Sequence, residues 1–377
     1  MTPRIPLAKP EITDADREAV LAVLHTPHLS MGPRLAEFQQ AMGAYLRSPS
    51  AVAVNSGTSA LHLAVKCLGI PRGSEVVLPS FTFSAVLNVL LQEELIPIFA
   101  EIDPATCNLT PQTVEPVLTT RTAAIIAVHS FGRPASVDQL QRLSQKRGIF
   151  LIEDACEALG AELNGRKVGT FGDAGVFAFY PNKQITTGEG GMLVTAHGAV
   201  AVRASRLRNQ GRDPAAGWLQ HVETGYSYRL SEMNCALGLS QLRRIGETIR
   251  RRQALAAEYH KRICEIGEIV PPPPTTENGR MSWFCYVVQL PEWIDGGGRD
   301  QIAAQLLQKG IQTGRYFAPL HRQPVVRSLP QPSLPVTDFV ALRTLALPFF
   351  NQLSVVEIEE VCDALEGSLA LLRGHKT

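Results

Sequence analysis

Between residues 50 and 196, short runs rich in β-branched and aromatic residues alternate with longer stretches whose apolar residues recur at helical spacing. Strands that alternate with helices in this way build a mostly parallel sheet with helices on both faces. Seven runs are predicted to be its strands, at 51–54, 75–80, 96–102, 123–130, 150–155, 174–180 and 191–196. The pattern predicts an α/β domain around a seven-stranded sheet.

The C-terminal third does not continue this alternation of strands and helices. A helical stretch at 230–266 leads into four prolines at 271–274, which are incompatible with a helix interior or a central strand. A strand at 284–290, a helix near 299–310 and an apolar tail then predict a smaller α+β unit. We expect a large domain over 1–250, which includes the N-terminal segment, and a small C-terminal domain over 251–377. A chain of 377 residues is long enough for both.

The net charge and the cysteine content limit the possible binding partners and the cellular compartment. The chain has 36 basic and 35 acidic residues, so no long-range field attracts nucleic acid or a membrane surface. Seven cysteines without a C-x-x-C pair indicate free thiols in a reducing compartment and suggest no metal site. Charged residues recur through the first eighteen positions, which excludes a signal peptide there, and the apolar runs are too short to span a bilayer. These features predict a cytoplasmic protein.

The segment NSGTSALHLA (55–64) follows a predicted strand and opens a predicted helix. The backbone N–H groups of Gly57, Thr58 and Ser59 would then point outward at the positive end of the helix dipole, where an anion binds. The plain alternative is a serine or threonine N-cap on a surface helix. The segment does not match G-x-x-x-x-G-K-[ST], so it is not a P-loop.

Two further segments place reactive groups next to the same sheet. Glu153 and Asp154 end an apolar strand, at the edge where open α/β sheets bind ligands. Either acid could cap the next helix, or one could partner a protonated ring nitrogen on a cofactor. Lys183 follows an aromatic strand and precedes TTGEGG, whose glycines let the backbone approach another object closely. A solvated loop lysine is the ordinary alternative.

A phosphate cradle, an acid at a strand end and a lysine in a glycine-rich bend are together what a phosphorylated aldehyde cofactor requires. The lysine holds the aldehyde as a Schiff base, the acid keeps the ring nitrogen protonated, and the helix end binds the phosphate. The order of the three segments along one α/β domain therefore predicts a pyridoxal 5'-phosphate (PLP) enzyme.

The chain resembles the DegT/DnrJ/EryC1/StrS family of sugar aminotransferases. The resemblance rests on NSGTSALHLA, PSFTFSAVLN, EIDPATCNL, IEDACEALGA, GTFGDAGVFAFYPNKQITTGEGGMLVT and GYSYRLSEMNCALGLSQL, in that order and spacing. It implies the fold type I architecture of aspartate aminotransferase, with a mostly parallel seven-stranded sheet in the large domain. It also implies a homodimer with active sites at the subunit interface.

The resemblance assigns roles to individual residues. It makes Lys183 the residue that binds PLP covalently and Asp154 the partner of the pyridine nitrogen. Gly57, Thr58 and Ser59 would hold the phosphate, Phe83 would stack on the ring, and Glu157 would lie near the ring hydroxyl. Ala178 and Ser227 replace a serine and an asparagine that often contact the phosphate in this family. Ser227 or Arg229 could still reach the cofactor from the neighbouring subunit, whereas a surface ion pair is the ordinary role of Arg229.

The activity implied is transfer of an amino group from an amino acid, expected to be glutamate, to a nucleotide-linked keto sugar. Candidate substrate contacts are Tyr180, Arg229, Arg315, Tyr316 and His321, although GRYFAPLHRQP (314–324) could equally be a solvated loop. Dehydratases of the family replace the lysine by histidine, and this chain retains Lys183. A non-catalytic regulator on the same fold is a further alternative. A nucleotide-binding dehydrogenase would need G-x-G-x-x-G, which the chain lacks.

Overall fold

A computed structural model of the protein describes residues 3–213, 220–274 and 278–374. Residues 275–277, at the end of the predicted proline-rich boundary, lie outside the described part. The strands are β1 Ser50–Val54, β2 Glu75–Pro79, β3 Ile96–Ala100, β4 Thr122–Val128, β5 Phe150–Asp154, β6 Glu162–Leu163, β7 Arg166–Lys167, β8 Ala174–Ala178, β9 Gly191–Thr195, β10 Gly279–Arg280, β11 Tyr286–Gln289 and β12 Thr344–Leu347.

The α-helices are α1 Asp14–Leu24, α2 Pro33–Leu46, α3 Gly57–Cys67, α4 Ala85–Gln92, α5 Pro111–Val114, α6 Val137–Arg147, α7 Gly198–Arg208, α8 Glu232–Arg243, α9 Ile245–Ile266, α10 Gly296–Gln308, α11 Pro335–Arg343 and α12 Val355–Gly374. Short 3-10 turns lie at Glu115–Val117, Ser130–Gly132, Leu320–Arg322 and Pro324–Val326. Within the described ranges, no helix is long and apolar enough to span a bilayer.

The main sheet has seven strands in the order β1-β9-β8-β5-β4-β2-β3. Five of them, from β8 through β3, run parallel, while β9 is antiparallel to both of its neighbours. All seven predicted strands are present, so the expectation of a mostly parallel seven-stranded sheet is confirmed. The parallel strands bring their carboxyl ends to one edge of the sheet, which is where ligands of such sheets bind.

Helices cover both faces of the sheet, as the alternating pattern predicts. On one face, apolar residues of α3, α4 and α7 pack on the strands, with Leu61, Leu87 and Leu207 fully or almost fully buried. On the other face, α2, α6 and α8 contribute residues such as Phe38 and Leu140. A sheet buried on both faces requires strands that are apolar along their whole length, and β2 is buried at all five positions.

A second core lies in the C-terminal third, around the antiparallel pair of β11 and β12. Helices α9, α10 and α12 pack there, and Ile5 from the N-terminal segment is fully buried in the same cluster. Ile5 forms a parallel bridge with Ile311. Helix α9 runs through the predicted boundary between residues 250 and 251, and that division stays a prediction.

Candidate active site

A cavity of about 440 Å³ lies at the carboxyl edge of the sheet. Its wall comes from residues that follow or end β1, β2, β4, β5 and β8, from the loop at 180–190, and from two C-terminal segments. We call residues 180–190 the lysine loop. The lining residues are Ser56, Gly57, Thr58, Leu61, Thr82, Phe83, Ala85, Val128, Asp154, Cys156, Glu157, Ala178, Tyr180, Asn182, Lys183, Glu189, Gly190, Phe284, Tyr316 and Phe317.

The two acids at the end of β5 have different surroundings, because successive side chains of a strand point to opposite faces of the sheet. Asp154 lines the cavity, is 8% exposed, and accepts a hydrogen bond from the backbone N–H of Cys156 at 3.0 Å. Glu153 is fully buried on the other side, where His129 Nε2 lies 2.9 Å from its carboxylate. Only Asp154 therefore faces the space where a ligand can enter.

The lysine loop places the side chain of Lys183 largely out of contact with solvent. Its side chain is 13% exposed, and its Nζ lies 3.7 Å from Glu157 Oε1. The same ammonium sits 4.0 Å from the centroid of the Phe284 ring, a cation–π arrangement. The backbone N–H of Lys183 donates to the carbonyl of Tyr180 at 2.9 Å, which fixes the turn. The surroundings are not those of a solvated loop lysine.

Glu157 lies between Lys183 and the end of β4. Its Oε2 accepts a hydrogen bond from the backbone N–H of Phe131 at 2.8 Å. Burial raises the pKa of this carboxyl, and the positive charge of Lys183 opposes that rise only in part. Burial likewise raises the pKa of the Cys156 thiol far above its usual range, so this thiol stays protonated at neutral pH.

The start of α3 is compatible with both interpretations of the segment NSGTSALHLA, as a serine-capped helix and as an anion site. Ser56 is the N-cap, and its hydroxyl accepts the N–H of Ser59 at 3.0 Å. The Ser59 hydroxyl donates to Asn55 Oδ1 at 2.7 Å, which turns this residue away from the cavity wall. Gly57 and Thr58 remain on the wall. The helix end is therefore capped by serine and still presents two residues to the cavity.

Glycines allow the strand ends that flank the lysine loop to approach the start of α3 closely. A Cβ atom on Gly57 would lie 2.7 Å from the Cβ of Ala178, and one on Gly191 would lie 2.2 Å from the carbonyl oxygen of Ser56. Neither separation is possible for real side chains, so these positions require glycine. Gly188 has a φ of +79°, in the left-handed region that glycine adopts without strain. The glycines thus bring the end of β8 and the start of β9, which flank the lysine loop, against the start of the helix.

Aromatic rings form much of the remaining wall. Phe83 is 62% exposed at the cavity, and the rings of Phe284 and Tyr316 lie 5.6 Å apart. Phe317 stacks on Phe131 with ring centroids 5.9 Å apart. Sequence reasoning named Phe83, Tyr180 and Tyr316 and missed Phe284, Phe317, Asn182 and Cys156, which join the site through tertiary packing. Asn182 and Cys156 could have been found, since each adjoins or closely follows a residue singled out in the sequence.

Besides Ser59, four predicted residues do not line this cavity. Ser227 is exposed and its hydroxyl accepts from Arg229 Nη2 at 2.8 Å, while Arg229 also donates to Asn209. Arg315 is exposed and pairs with Asp300 at 3.4 Å. His321 is buried, with Nδ1 2.7 Å from Ser80 Oγ and Nε2 3.2 Å from Asp338, and burial lowers its pKa.

Comparison with known proteins identifies the family. A model of the DegT/DnrJ/EryC1/StrS aminotransferase family matches residues 10–366. GDP-perosamine synthase of Caulobacter vibrioides is 35% identical over 97% of this chain and 98% of its own. The spore coat polysaccharide biosynthesis protein SpsC of Bacillus subtilis is 32% identical over 96% of each chain.

A solved structure agrees with these relatives. The aminotransferase TlmJ of Streptoalloteichus hindustanus superposes with a TM-score of 0.93 at 31% identity, over 98% of this chain and all of the other. This confirms the fold type I architecture expected from the sequence. The chain therefore belongs to the DegT/DnrJ/EryC1/StrS aminotransferase family and is an enzyme of the aminotransferase class.

Proposed function

We propose that this enzyme uses PLP to transfer an amino group from glutamate to a nucleotide-linked keto sugar. One observation carries the proposal: Lys183, Asp154 and the start of α3 line one cavity. The name of the Caulobacter relative, GDP-perosamine synthase, supports a nucleotide-linked sugar as the acceptor. An amino-acid donor follows from the aminotransferase class.

The residues of the cavity suit the chemical groups of PLP. Gly57 and Thr58 stand at the positive end of α3, which favours a phosphate, and Ser59 is held behind them by the cap. The Asp154 carboxylate can hold a pyridinium N–H, and Phe83 offers a ring face. When bound, PLP acts as an electron sink that stabilises negative charge on the substrate carbon.

Lys183 is the proposed acid and base. For that duty its Nζ must release and recover a proton beside the substrate carbon. Phe284 covers the ammonium and Glu157 stands 3.7 Å from it, so the proton of Nζ has a neighbouring acceptor inside the cavity. Glu157 is also the proposed contact of the ring hydroxyl of PLP.

The charge of the cavity supports a shared site in a homodimer. Among the described residues that line it, Asp154, Glu157 and Glu189 are acidic, and Lys183 alone is cationic. A phosphate, a diphosphate and glutamate are all anions, and anions at a protein surface are bound by cationic and N–H groups. Arg229 and the exposed Ser227 are outside their own chain's cavity, which leaves them available to the cavity of a second copy.

The sugar and its nucleotide are proposed to occupy the mouth of the cavity. Tyr180, which is 52% exposed, and Tyr316 lie on the wall and can pack against the hexose or the base. Arg315 follows Gly314 on the segment that carries Tyr316, and its exposed guanidinium is the proposed contact of the diphosphate. The buried contacts of His321 favour a structural role for that residue. All seven cysteines are free, which supports the cytoplasm as the place of action.

The test uses Lys183→Ala beside the wild type. The wild-type protein loaded with PLP is expected to absorb visible light, to bleach with glutamate, and to regain its colour with a suitable nucleotide-linked keto sugar. Screening GDP-, UDP- and dTDP-linked keto sugars, with mass spectrometry of the amine product, identifies the acceptor. In Lys183→Ala, turnover falls by at least about ten-thousandfold.

The outcomes separate the candidates. Normal turnover by Lys183→Ala contradicts the role of this lysine. A wild-type protein that does not bleach with glutamate or any other amino-acid donor contradicts transamination, and loss of a sugar hydroxyl without amine gain would identify a dehydratase instead. A folded protein without either reaction would indicate the regulator.

A further inference from the structure

A partly buried charged cluster lies on the back of α3, away from the cavity. His62, one turn beyond the capped start of the helix, is 5% exposed and has partners at both ring nitrogens. Its Nδ1 lies 2.9 Å from the hydroxyl of Tyr228, and its Nε2 lies 2.7 Å from Glu93 Oε1. The ring therefore links α3 and the C-terminal end of α4 to the GYSYR segment at 225–229.

Lys66 completes this cluster. Its ammonium donates to both oxygens of Glu93, at 2.8 and 3.0 Å, and its side chain also hydrogen-bonds Tyr226. Burial alone would raise the pKa of the Glu93 carboxyl, yet the bonds from Lys66 and His62 hold that pKa below its usual value. We call His62, Lys66 and Glu93 the helix-back cluster.

The helix-back cluster contacts Tyr226 and Tyr228, the two tyrosines that flank Ser227 in the GYSYR segment. The Tyr226 ring lies 4.9 Å from His62 and stacks on Tyr228 with centroids 4.7 Å apart. In extended backbone, successive side chains point to opposite sides. Ser227, between the two tyrosines, is accordingly exposed on the other side, where it meets Arg229.

Backbone hydrogen bonds also fix the GYSYR segment next to the start of α3. The carbonyl of Tyr228 accepts the N–H of Asn55 at 3.0 Å, and the N–H of Tyr228 donates to the carbonyl of Arg208 at 3.0 Å. Asn55 directly precedes the capping residue of α3. The cluster therefore fixes the segment to the helix in both side chains and backbone.

Ion pairs that are largely withdrawn from water, such as Lys66 with Glu93, contribute little net stability because desolvation offsets their attraction, and their best-attested use is to select one arrangement of the chain. We propose that His62, Lys66 and Glu93 are positioning residues that lock Tyr226 and Tyr228, so that Ser227 and Arg229 are presented to the cavity of a second copy of the chain. This inference rests on the proposed function, and in particular on the shared site.

The decisive experiment mixes two inactive variants by co-expression. One chain carries Lys183→Ala and keeps the helix-back cluster, and the other carries His62→Leu and keeps Lys183. In the mixed dimer, one cavity combines an intact Lys183 with an intact GYSYR segment from the other chain. If dimers form at random, about a quarter of the wild-type activity is recovered, whereas the His62→Leu homodimer falls on the order of a hundredfold.

Two matched pairs calibrate the experiment. Arg229→Ala mixed with Lys183→Ala reports a residue that acts from the other chain, so it should be rescued. Asp154 and Lys183 line the same chain's cavity, so mixing Asp154→Asn with Lys183→Ala leaves one defect in each cavity of the mixed dimer, and this pair should not be rescued. Tyr228→Phe, which removes only the hydroxyl bonded to His62, gives a milder variant if His62→Leu fails to fold, and it should be rescued in the same way.

A second readout does not depend on turnover. The affinity for PLP, measured by quenching of tryptophan fluorescence, should fall about tenfold in His62→Leu and recover in half of the sites of the mixed dimer. Failure of the His62→Leu pair, when the Arg229→Ala pair is rescued, overturns the positioning role. Failure of both pairs with an active wild type overturns the shared site as well, while an inactive wild type counts against the proposed function.

Discussion

Glu153 and Asp154 are neighbours on β5, yet they belong to two different regions of the molecule. On the far side of the sheet, the Glu153 carboxylate accepts four hydrogen bonds. The donors are His129 Nε2 and the backbone N–H groups of Gly169, Phe171 and Gly172. On the cavity side, Oδ1 of Asp154 accepts a hydrogen bond from the backbone N–H of Cys156. One acid has every acceptor position filled, and the other retains acceptor capacity toward the cavity.

The difference teaches how to separate a structural acid from a functional one. A carboxylate that is satisfied by four protein donors has no capacity left for a ligand, and its removal leaves those donors unpaired. A carboxylate at a cavity wall whose described donors, the N–H and the thiol, both come from Cys156 can still accept a hydrogen bond from a cofactor. The following predictions test that separation.

Asp154→Asn should have the largest effect on catalysis. The amide keeps the shape and an acceptor for the N–H of Cys156 but removes the negative charge. We expect the rate of the reaction with glutamate to fall about a hundred- to a thousandfold, while the free energy of unfolding changes by less than about 1 kcal/mol. Stopped-flow absorbance and urea unfolding measure the two quantities. A rate within threefold of the wild type would refute the distinction.

Glu153→Gln should have the opposite profile. The new NH₂ group would face N–H donors, and the buried charge that His129 and three amides hold would be gone. We expect the free energy of unfolding to fall by about 3 kcal/mol, with activity per folded molecule within severalfold of the wild type. Calorimetry gives the first quantity and titration of active sites gives the second. Unchanged stability with lost activity would place Glu153 in the functional group.

Glu157→Gln should have the smallest effect, and one that depends on pH. Because burial raises the pKa of Glu157 above its ordinary value of 4.5, the folded protein retains a proton that the unfolded chain has released once the pH exceeds 4.5. The free energy of unfolding of the wild type therefore falls as pH rises through this window. The variant lacks this loss, so its stability relative to the wild type should increase from pH 4.5 toward neutral.

Urea unfolding of the cofactor-free proteins at several pH values checks this prediction. Glu162→Gln is a suitable control, since Glu162 lies in a salt bridge with Lys167 away from the active-site cavity. A stability difference between Glu157→Gln and the wild type that is independent of pH would contradict the direction of the shift.

The sequence predicted the sheet well because a strand that is buried on both faces must be apolar along its length. Every strand of the main sheet begins and ends within two residues of its predicted limits. The helical stretch at 230–266 proved to be two helices, α8 and α9, which meet at Arg244. Helices α1 and α2 were not predicted, since their apolar residues alternate with many polar ones.

The site was predictable where one local segment carries the chemistry, as with Gly57, Asp154 and Lys183. Phe284 and Phe317 were not, because they reach the cavity from the C-terminal third through packing that no local pattern encodes. Arg315 and His321 show the converse. Their residue types suited a ligand, but Asp300 and Asp338 pair with them in the folded chain.

The burial of Ile5 has a consequence for the order in which the protein is assembled on the ribosome. The N–H of Leu7 donates to Gln312, 305 positions later in the chain, and the carbonyl of Leu7 accepts the N–H of Phe349. The segment around Ile5 must therefore wait for residues 311–349 to be synthesised before its own packing is complete. A nascent chain halted before residue 311 would keep the segment around Ile5 undocked and open to proteases, and synthesis through residue 349 would allow that segment to dock.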